Sequence, residues 1–339
     1  MRFGLFGGAA RPPGGTDADA YRQYVDYIVE AEQLGFESIF LVEHHFTGGG
    51  QTSASLTLLS HLAGLTSTMR LGTAVTVMPW HHPLLLAEQA ALVDILSKGR
   101  LDFGVGRGYR PNEFHGFQID PNEAQERFEE AVELVLKAWT TKERWSHESK
   151  YWKFRDVIVE PQPVQAPIPP LWVAAGSEGS VRQAAAQGRR VLLDQFSSTD
   201  ITKQRVQWYR DQQAKSGQQS GPGQIALTRG LLLVDDASKT EAEVQRRLQV
   251  IQMLAKSAEI PGKEVTERAA GPFALDKNAQ DTRQATIVGT PDECIARLKE
   301  LEAAGVDYVL FSDPWGGVER LRLFAREVMP AFRKQTAAA

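Results

Sequence analysis

The chain has 339 residues, 42% hydrophobic and 24% charged, and its 38 Lys+Arg against 42 Asp+Glu leave a net charge of −4. That balance excludes collagen-like, disulfide-scaffold and wholly disordered chains, and it offers no basic field to a nucleic acid. Cys294 is the only cysteine and no apolar run approaches the ~20 residues that span a bilayer, so a cytoplasmic protein with neither disulfide nor membrane partner is expected.

The elements alternate along the chain. Arg2–Gly7 reads as a first strand, and a helix follows over 17–34, with Thr16 and Asp17 as caps and Gly35 beyond its end. Residues 38–43 and 71–77 are the next strands. Residues 83–97 form a helix with Leu84, Ala87, Ala91 and Ile95 near helical spacing, and it is apolar beyond one stripe. Leu101–Gly106 is the fourth strand. Residues 124–139 place Phe128, Val132, Val135 and Trp139 on one helical face. Residues 143–167 break the rhythm with aromatics and prolines and read as a hairpin. Strands over 171–175, 191–194 and 226–234 alternate with helices over 180–187, 202–215 and 240–255. The polar stretch 256–286 reads as a mobile lid. Pro291 after Thr290 opens a helix over 291–304, Tyr308–Ser312 is the eighth strand, and 318–332 is the last helix.

The strand runs are continuously apolar, as parallel strands buried on both faces are. The expected class is α/β: a (β/α)8 TIM barrel, one domain over 1–335, with insertions before strand five (143–167) and after strand seven (256–286). An open doubly wound sheet has the same order of elements.

In such a barrel chemistry sits just past each strand. Glu43-His44-His45-Phe46 follows the second strand; alternation puts Glu43 and His45 on one side and His44 on the other. His44 is either a proton-transfer or substrate-contacting group or a histidine held in the wall. No metal-ligand motif is present. Ala74-Val75 ends a small-residue stretch on which a planar ligand could lie, or which is simply close-packed. Gly106-Arg107-Gly108 lets backbone and guanidinium approach a phosphate together; a surface ion pair is the plain alternative. It lacks the Gly-x-Gly-x-x-Gly order of a dinucleotide fold, because position 109 is Tyr. Gly176-Ser177 through Ser180 opens a helix, either as an anion site or as an ordinary serine cap.

With these segments in order, the chain resembles the bacterial luciferase-like flavin-dependent monooxygenase superfamily. The resemblance is carried by Leu41-Val42-Glu43-His44-His45-Phe46, Leu71-Gly72-Thr73-Ala74-Val75, residues 97–108, Leu171-Trp172-Val173-Ala174-Ala175 and Val288-Gly289-Thr290-Pro291-Asp292-Glu293-Cys294. It implies a barrel that binds reduced FMN at its C-terminal mouth. It assigns flavin-linked proton transfer to His44 and the FMN phosphate to Arg107, Ser177 and Ser180. It also implies a cis peptide at Ala74-Val75 against the ring.

Gly106 stands where the luciferase α subunit has a reactive cysteine, and Gly176 where it has a phosphate-loop glutamate, so light emission is not expected. The aromatics Phe6, Phe46, Trp80, Tyr109 and Phe114 suggest an apolar substrate pocket. The implied function is a two-component FMN-dependent monooxygenase. A separate flavin reductase supplies reduced FMN, O2 is the oxidant, and the substrate is small and apolar. The alternatives are an F420-dependent dehydrogenase or reductase and a non-catalytic flavin-binding barrel. The 83–97 helix implies a homodimer. Cys294 is expected to be buried as a small hydrophobe.

Overall fold

The structure is a computed structural model that describes residues 1–12, 14–260, 262, 278–313 and 317–333. The strands are β1 (Arg2–Gly7), β2 (Ser38–Leu41), β3 (Arg70–Thr73), β4 (Leu101–Gly106), β5 (Leu171–Ala174), β6 (Arg190–Leu193), β7 (Ile225–Leu233) and β8 (Tyr308–Ser312). Each pairs in parallel with the next, and β8 pairs with β1, so the sheet closes as a (β/α)8 barrel. Closure removes the open-sheet alternative.

The continuous apolar runs are explained by burial on both faces: all nine residues of β7 are buried. One face meets the helices. The other fills the barrel with Phe40, Trp172, Leu192, Ala226, Tyr308 and Leu310, the Phe40 and Trp172 rings meeting edge to face at 5.5 Å.

A polar layer closes the N-terminal end. Asp102 accepts from Arg70 Nε at 2.6 Å and Nη2 at 3.0 Å, and from Trp172 Nε1 at 3.1 Å. Tyr308 donates to Ser38 Oγ at 2.5 Å, and Arg2 lies 4.2 Å over the Tyr308 ring. A cleft of about 320 Å³ at this end lies among Leu136, Pro169, Pro170 and Arg189 and holds none of the expected site residues. The polar floor leaves the C-terminal mouth as the place for a ligand.

The expected strand over 71–77 is divided. After Thr73 the chain passes through a cis Ala74–Val75 bond, and Thr76–Val77 pairs with Val105 and Gly106 of β4. The 143–167 segment contains the antiparallel hairpin Trp145–Glu148 and Lys153–Val157. Helix Ala279–Ala285 and three other elements were not anticipated. Helix Ser55–Leu65 carries Leu56, Leu58, Leu59 and Leu62 and so has little polar contrast to mark a stripe. Helix Pro111–Phe117 is too short for a period to show. Thr286–Gly289, of which only Thr286 fell in the expected lid, is a strand that pairs with Gly230–Leu233 of β7.

Helices Thr240–Lys256 and Ala279–Ala285 lie at the two ends of the 256–286 stretch. Residue 261 and residues 263–277, on which most of the expected lid falls, lie outside the described residues. The last helix, Gly317–Glu327, gives way to a short turn with Pro330, Met329–Phe332.

Candidate active site

The site is assembled where β2, β3, β4 and β5 end. Beyond β2 the side chains alternate as the sequence pattern requires. Glu43 is buried, and its Oε1 meets His45 Nε2 at 2.9 Å and His81 Nε2 at 2.8 Å, while Oε2 accepts from Val77 N at 3.0 Å. Burial by itself would raise the Glu43 carboxyl, but the hydrogen bonds with His45, His81 and Val77, and the charge on His81, outweigh it and hold it below the usual carboxylate range.

His44 points to a different carboxylate. Its Nδ1 is 3.1 Å from Oε1 of the buried Glu113, and the same oxygen accepts from His45 N at 3.0 Å. An ionised carboxylate only accepts, so Nδ1 is assigned the proton and Nε2 keeps a lone pair. Burial first, then the charge of Arg110, hold the His44 imidazole below its usual range against the opposing pull of Glu113 and Glu43. His44 is therefore neutral at pH 7. Arg110 is fully buried, with Nη1 3.5 Å from both Gln51 Oε1 and Ser257 Oγ.

The five expected pocket aromatics do not line one surface. Phe6 lies with Ala74 and Val75 on the barrel's inner core. Trp80 stacks on Phe117 at 5.0 Å and meets Phe114 edge-on at 4.7 Å, and Phe46 lies 4.9 Å from Phe117. Phe114 is buried behind Trp80, whereas Phe46 is 59% exposed. Tyr109 is separate, its ring 6.5 Å edge-on from His44.

Small residues bring backbone close at the ends of β3 and β4. A side chain on Gly106 would overlap that of Val75, and Gly108 has φ +82° with Val77 and Trp80 against it. Two buried polar atoms here, Thr76 Oγ1 and Trp80 Nε1, have no hydrogen-bond partner among the described residues.

Directly after β4, Arg107 is exposed and Nη1 donates to Gln125 at 3.3 Å. Ser177 caps helix Glu178–Ala186, accepting from Ser180 N at 3.3 Å, and Gly176 N donates to Ser180 Oγ at 3.2 Å. Beneath this turn Arg205 donates to Gly176 O at 2.8 Å, to Asp194 at 2.5 Å and to Ser197 at 2.7 Å. Burial would raise Asp194, but the Arg205 charge and the Phe196 amide outweigh it and hold the carboxyl low. Burial lowers the enclosed Arg229 to about 10; it donates to Asp194 O and Thr202 Oγ1.

These residues fit an aromatic ring laid against Ala74, Val75 and Gly106, with an anionic tail reaching Arg107 and the Ser177 turn. Among the described residues, no three His, Cys, Asp or Glu are grouped to hold a metal. Cys294 is buried in the outer core, where burial pushes its thiol up to about 12. Glu113, Asn112, Phe117, Arg205 and Asp194 escaped the sequence reading. Glu113 is 69 residues from His44, and no local pattern joins them.

A model of the luciferase-like monooxygenase family matches residues 1–308. The oxygenase component of a flavin-dependent trigonelline monooxygenase from Acinetobacter baylyi is 29% identical over 351 residues, covering 98% of this chain and 96% of that protein. The crystal structure of monooxygenase RslO1 from Streptomyces bottropensis superposes with a TM-score of 0.85 at 26% identity, covering 98% of this chain and all of that one. An F420-dependent secondary alcohol dehydrogenase shares the fold, with a TM-score of 0.78 at 16% identity and coverage of 98% and 99%.

Proposed function

The chain belongs to the luciferase-like monooxygenase family, and from that premise we propose that it is the FMN-dependent oxygenase of a two-component system. In this reading it takes reduced FMN from a separate flavin reductase and uses O2 to oxidise a small, apolar organic molecule. The observation that carries the reading is a carboxylate-held His44 at the same barrel mouth as Arg107 and the Ser177 turn.

Each residue has a task. Arg107, with Ser177, Ser180 and the backbone at Gly176, holds a terminal phosphate by charge-assisted and helix-end hydrogen bonds. Ala74, Val75 and Gly106 line the ring face. When bound, reduced FMN would supply the two electrons with which O2 gives one oxygen atom to the substrate and the other to water. His44 Nε2 accepts or returns the proton at the mouth. Tyr109, whose ring meets His44 edge-on, supplies an apolar wall beside the proton-transfer group, while Phe6 packs in the barrel interior and Phe46, Trp80 and Phe114 in the Phe117 cluster.

The absence of a nicotinamide fingerprint supports a separate reductase. The lone, buried Cys294 supports a cytoplasmic setting. Among the described residues no helix is long and apolar enough to cross a membrane. Leu85, Leu92 and Leu96 of helix Pro83–Leu96 are 57%, 46% and 49% exposed, an apolar face that supports a homodimer. Light scattering should give about twice the 37.5 kDa chain mass.

The deciding experiment is anaerobic titration with reduced FMN and with reduced F420, followed by oxygen uptake with candidate apolar substrates. Tight FMN binding with substrate-dependent product formation is expected. Preference for F420 with no oxygen uptake would make it a dehydrogenase, and flavin binding without turnover would make it a carrier.

A further inference from the structure

We propose that Glu113 is a positioning residue: its buried carboxylate holds the His44 imidazole by Nδ1 and thereby presents Nε2 to the barrel mouth. The inference rests on the reading of His44 as the proton-transfer group, but it concerns only side chains of this chain.

The contacts are specific. One oxygen of Glu113 receives both the His44 ring at 3.1 Å and the backbone N–H of His45 at 3.0 Å. It therefore fixes the ring and the peptide that follows it. Among the described residues no lysine or arginine forms an ion pair with Glu113; its one ion-pair contact is His44. Helix Pro111–Phe117 carries the carboxylate inward, and Asn112 beside it donates to His45 O at 3.2 Å. The helix thus grips the His44-His45 segment from both side chains. The neighbouring carboxylate does not compete, since Glu43 is engaged by His45, His81 and Val77.

The charged groups that face His44 are Glu113 from the short helix, Arg110 from the β4 loop and Glu43 from the β2 end; the Tyr109 ring meets it edge-on. Glu113 favours the protonated imidazole and Arg110 opposes it. A carboxylate needed only to tie helix to loop could be a neutral acceptor, and Glu113→Gln retains such an oxygen. The charge is what distinguishes the two roles.

The test uses flavin-free protein and the rate at which diethyl pyrocarbonate modifies His44 across pH 5–9, read by peptide mass. This reagent attacks the neutral nitrogen. In Glu113→Gln the midpoint for His44 should fall by about one unit, because a negative neighbour has been removed. His115, exposed on the same helix, serves as the control and should not move. An unchanged His44 midpoint in a folded Glu113→Gln protein would overturn the proposal and leave Glu113 as a structural tie.

Nitrogen-15 NMR of histidine-labelled wild type tests the same point without a variant. The Nδ1–H tautomer is expected for His44, and the Nε2–H tautomer would overturn the proposal even if Glu113→Gln does not fold. A shifted midpoint together with full turnover by His44→Ala would keep the positioning role and remove the proton-transfer reading.

Discussion

Beyond β2, where helix Pro111–Phe117 packs on the His44-His45 segment, the mouth is lined by groups whose hydrogen bonds are already made. Glu43 engages three partners and Glu113 two, and both carboxylates are buried. Just past the ends of β4 and β5 the arrangement is inverted. Arg107 and Ser177 are exposed, Arg107 makes one long side-chain hydrogen bond among the described residues, and the part-buried ion pair of Arg205 and Asp194 lies under the turn rather than in it. A group that moves a proton must hold its geometry and protonation state before ligand arrives. A group that binds a dianion must keep donors unspent until the anion brings its charge. The two sides of the mouth are thus prepared for different tasks.

The largest effect should come from the histidine side. His44→Ala should slow substrate oxidation by about 10²–10⁴-fold while flavin affinity changes little. Wild-type turnover with normal coupling would erase the distinction between the two sides. The next effect belongs to the open side: Arg107→Ala should weaken FMN binding about 10- to 150-fold, the loss of one charge-assisted contact. Riboflavin, which has no phosphate, sharpens this test, because its affinity should be nearly the same in both proteins. Equal losses for the two flavins would move Arg107 off the phosphate.

Asp194 tests whether the support beneath the turn is structural. Its carboxyl is held low in the fold, so it stabilises the protein above the ordinary carboxylate value near pH 4, and that contribution disappears as pH falls through the folded-state value. Asp194→Asn should cost about 1–3 kcal/mol at pH 7, and the gap between variant and wild-type stability should close on acidification below about pH 4. Denaturant unfolding across pH measures it; a gap that persists unchanged in acid would mean the charge is not what stabilises the turn. The smallest effect is expected away from both sides. Cys294 is fully buried with its thiol raised to about 12, so maleimide treatment of the native protein should leave flavin binding and labelling mass unchanged. Full labelling with loss of flavin would place it in an element coupled to the mouth.

The alternation of apolar runs and amphipathic stretches was enough to locate all eight barrel strands, because double-sided burial is written into each strand separately. It also located the strand-end residues His44, Arg107 and Ser177, since a barrel puts chemistry where strands stop. It failed for Thr286–Gly289, whose strand character depends on the edge that β7 offers it. It failed too for helix Ser55–Leu65, where leucines on several faces hide the period. The aromatics read as one pocket are divided by the fold among the barrel interior, the Phe117 cluster and the Tyr109 loop.

By itself, then, the sequence determined which residues follow the strand ends, because double-sided burial marks where each strand stops. Only the tertiary structure decided what each of them meets there. Barrel closure, the pairing of His44 with Glu113 across 69 residues and the seating of Gly176 on Arg205 all join segments distant in the chain. A local pattern records that a side chain is buried and on which face; the partner waiting for it is set by the register and curvature of the closed sheet.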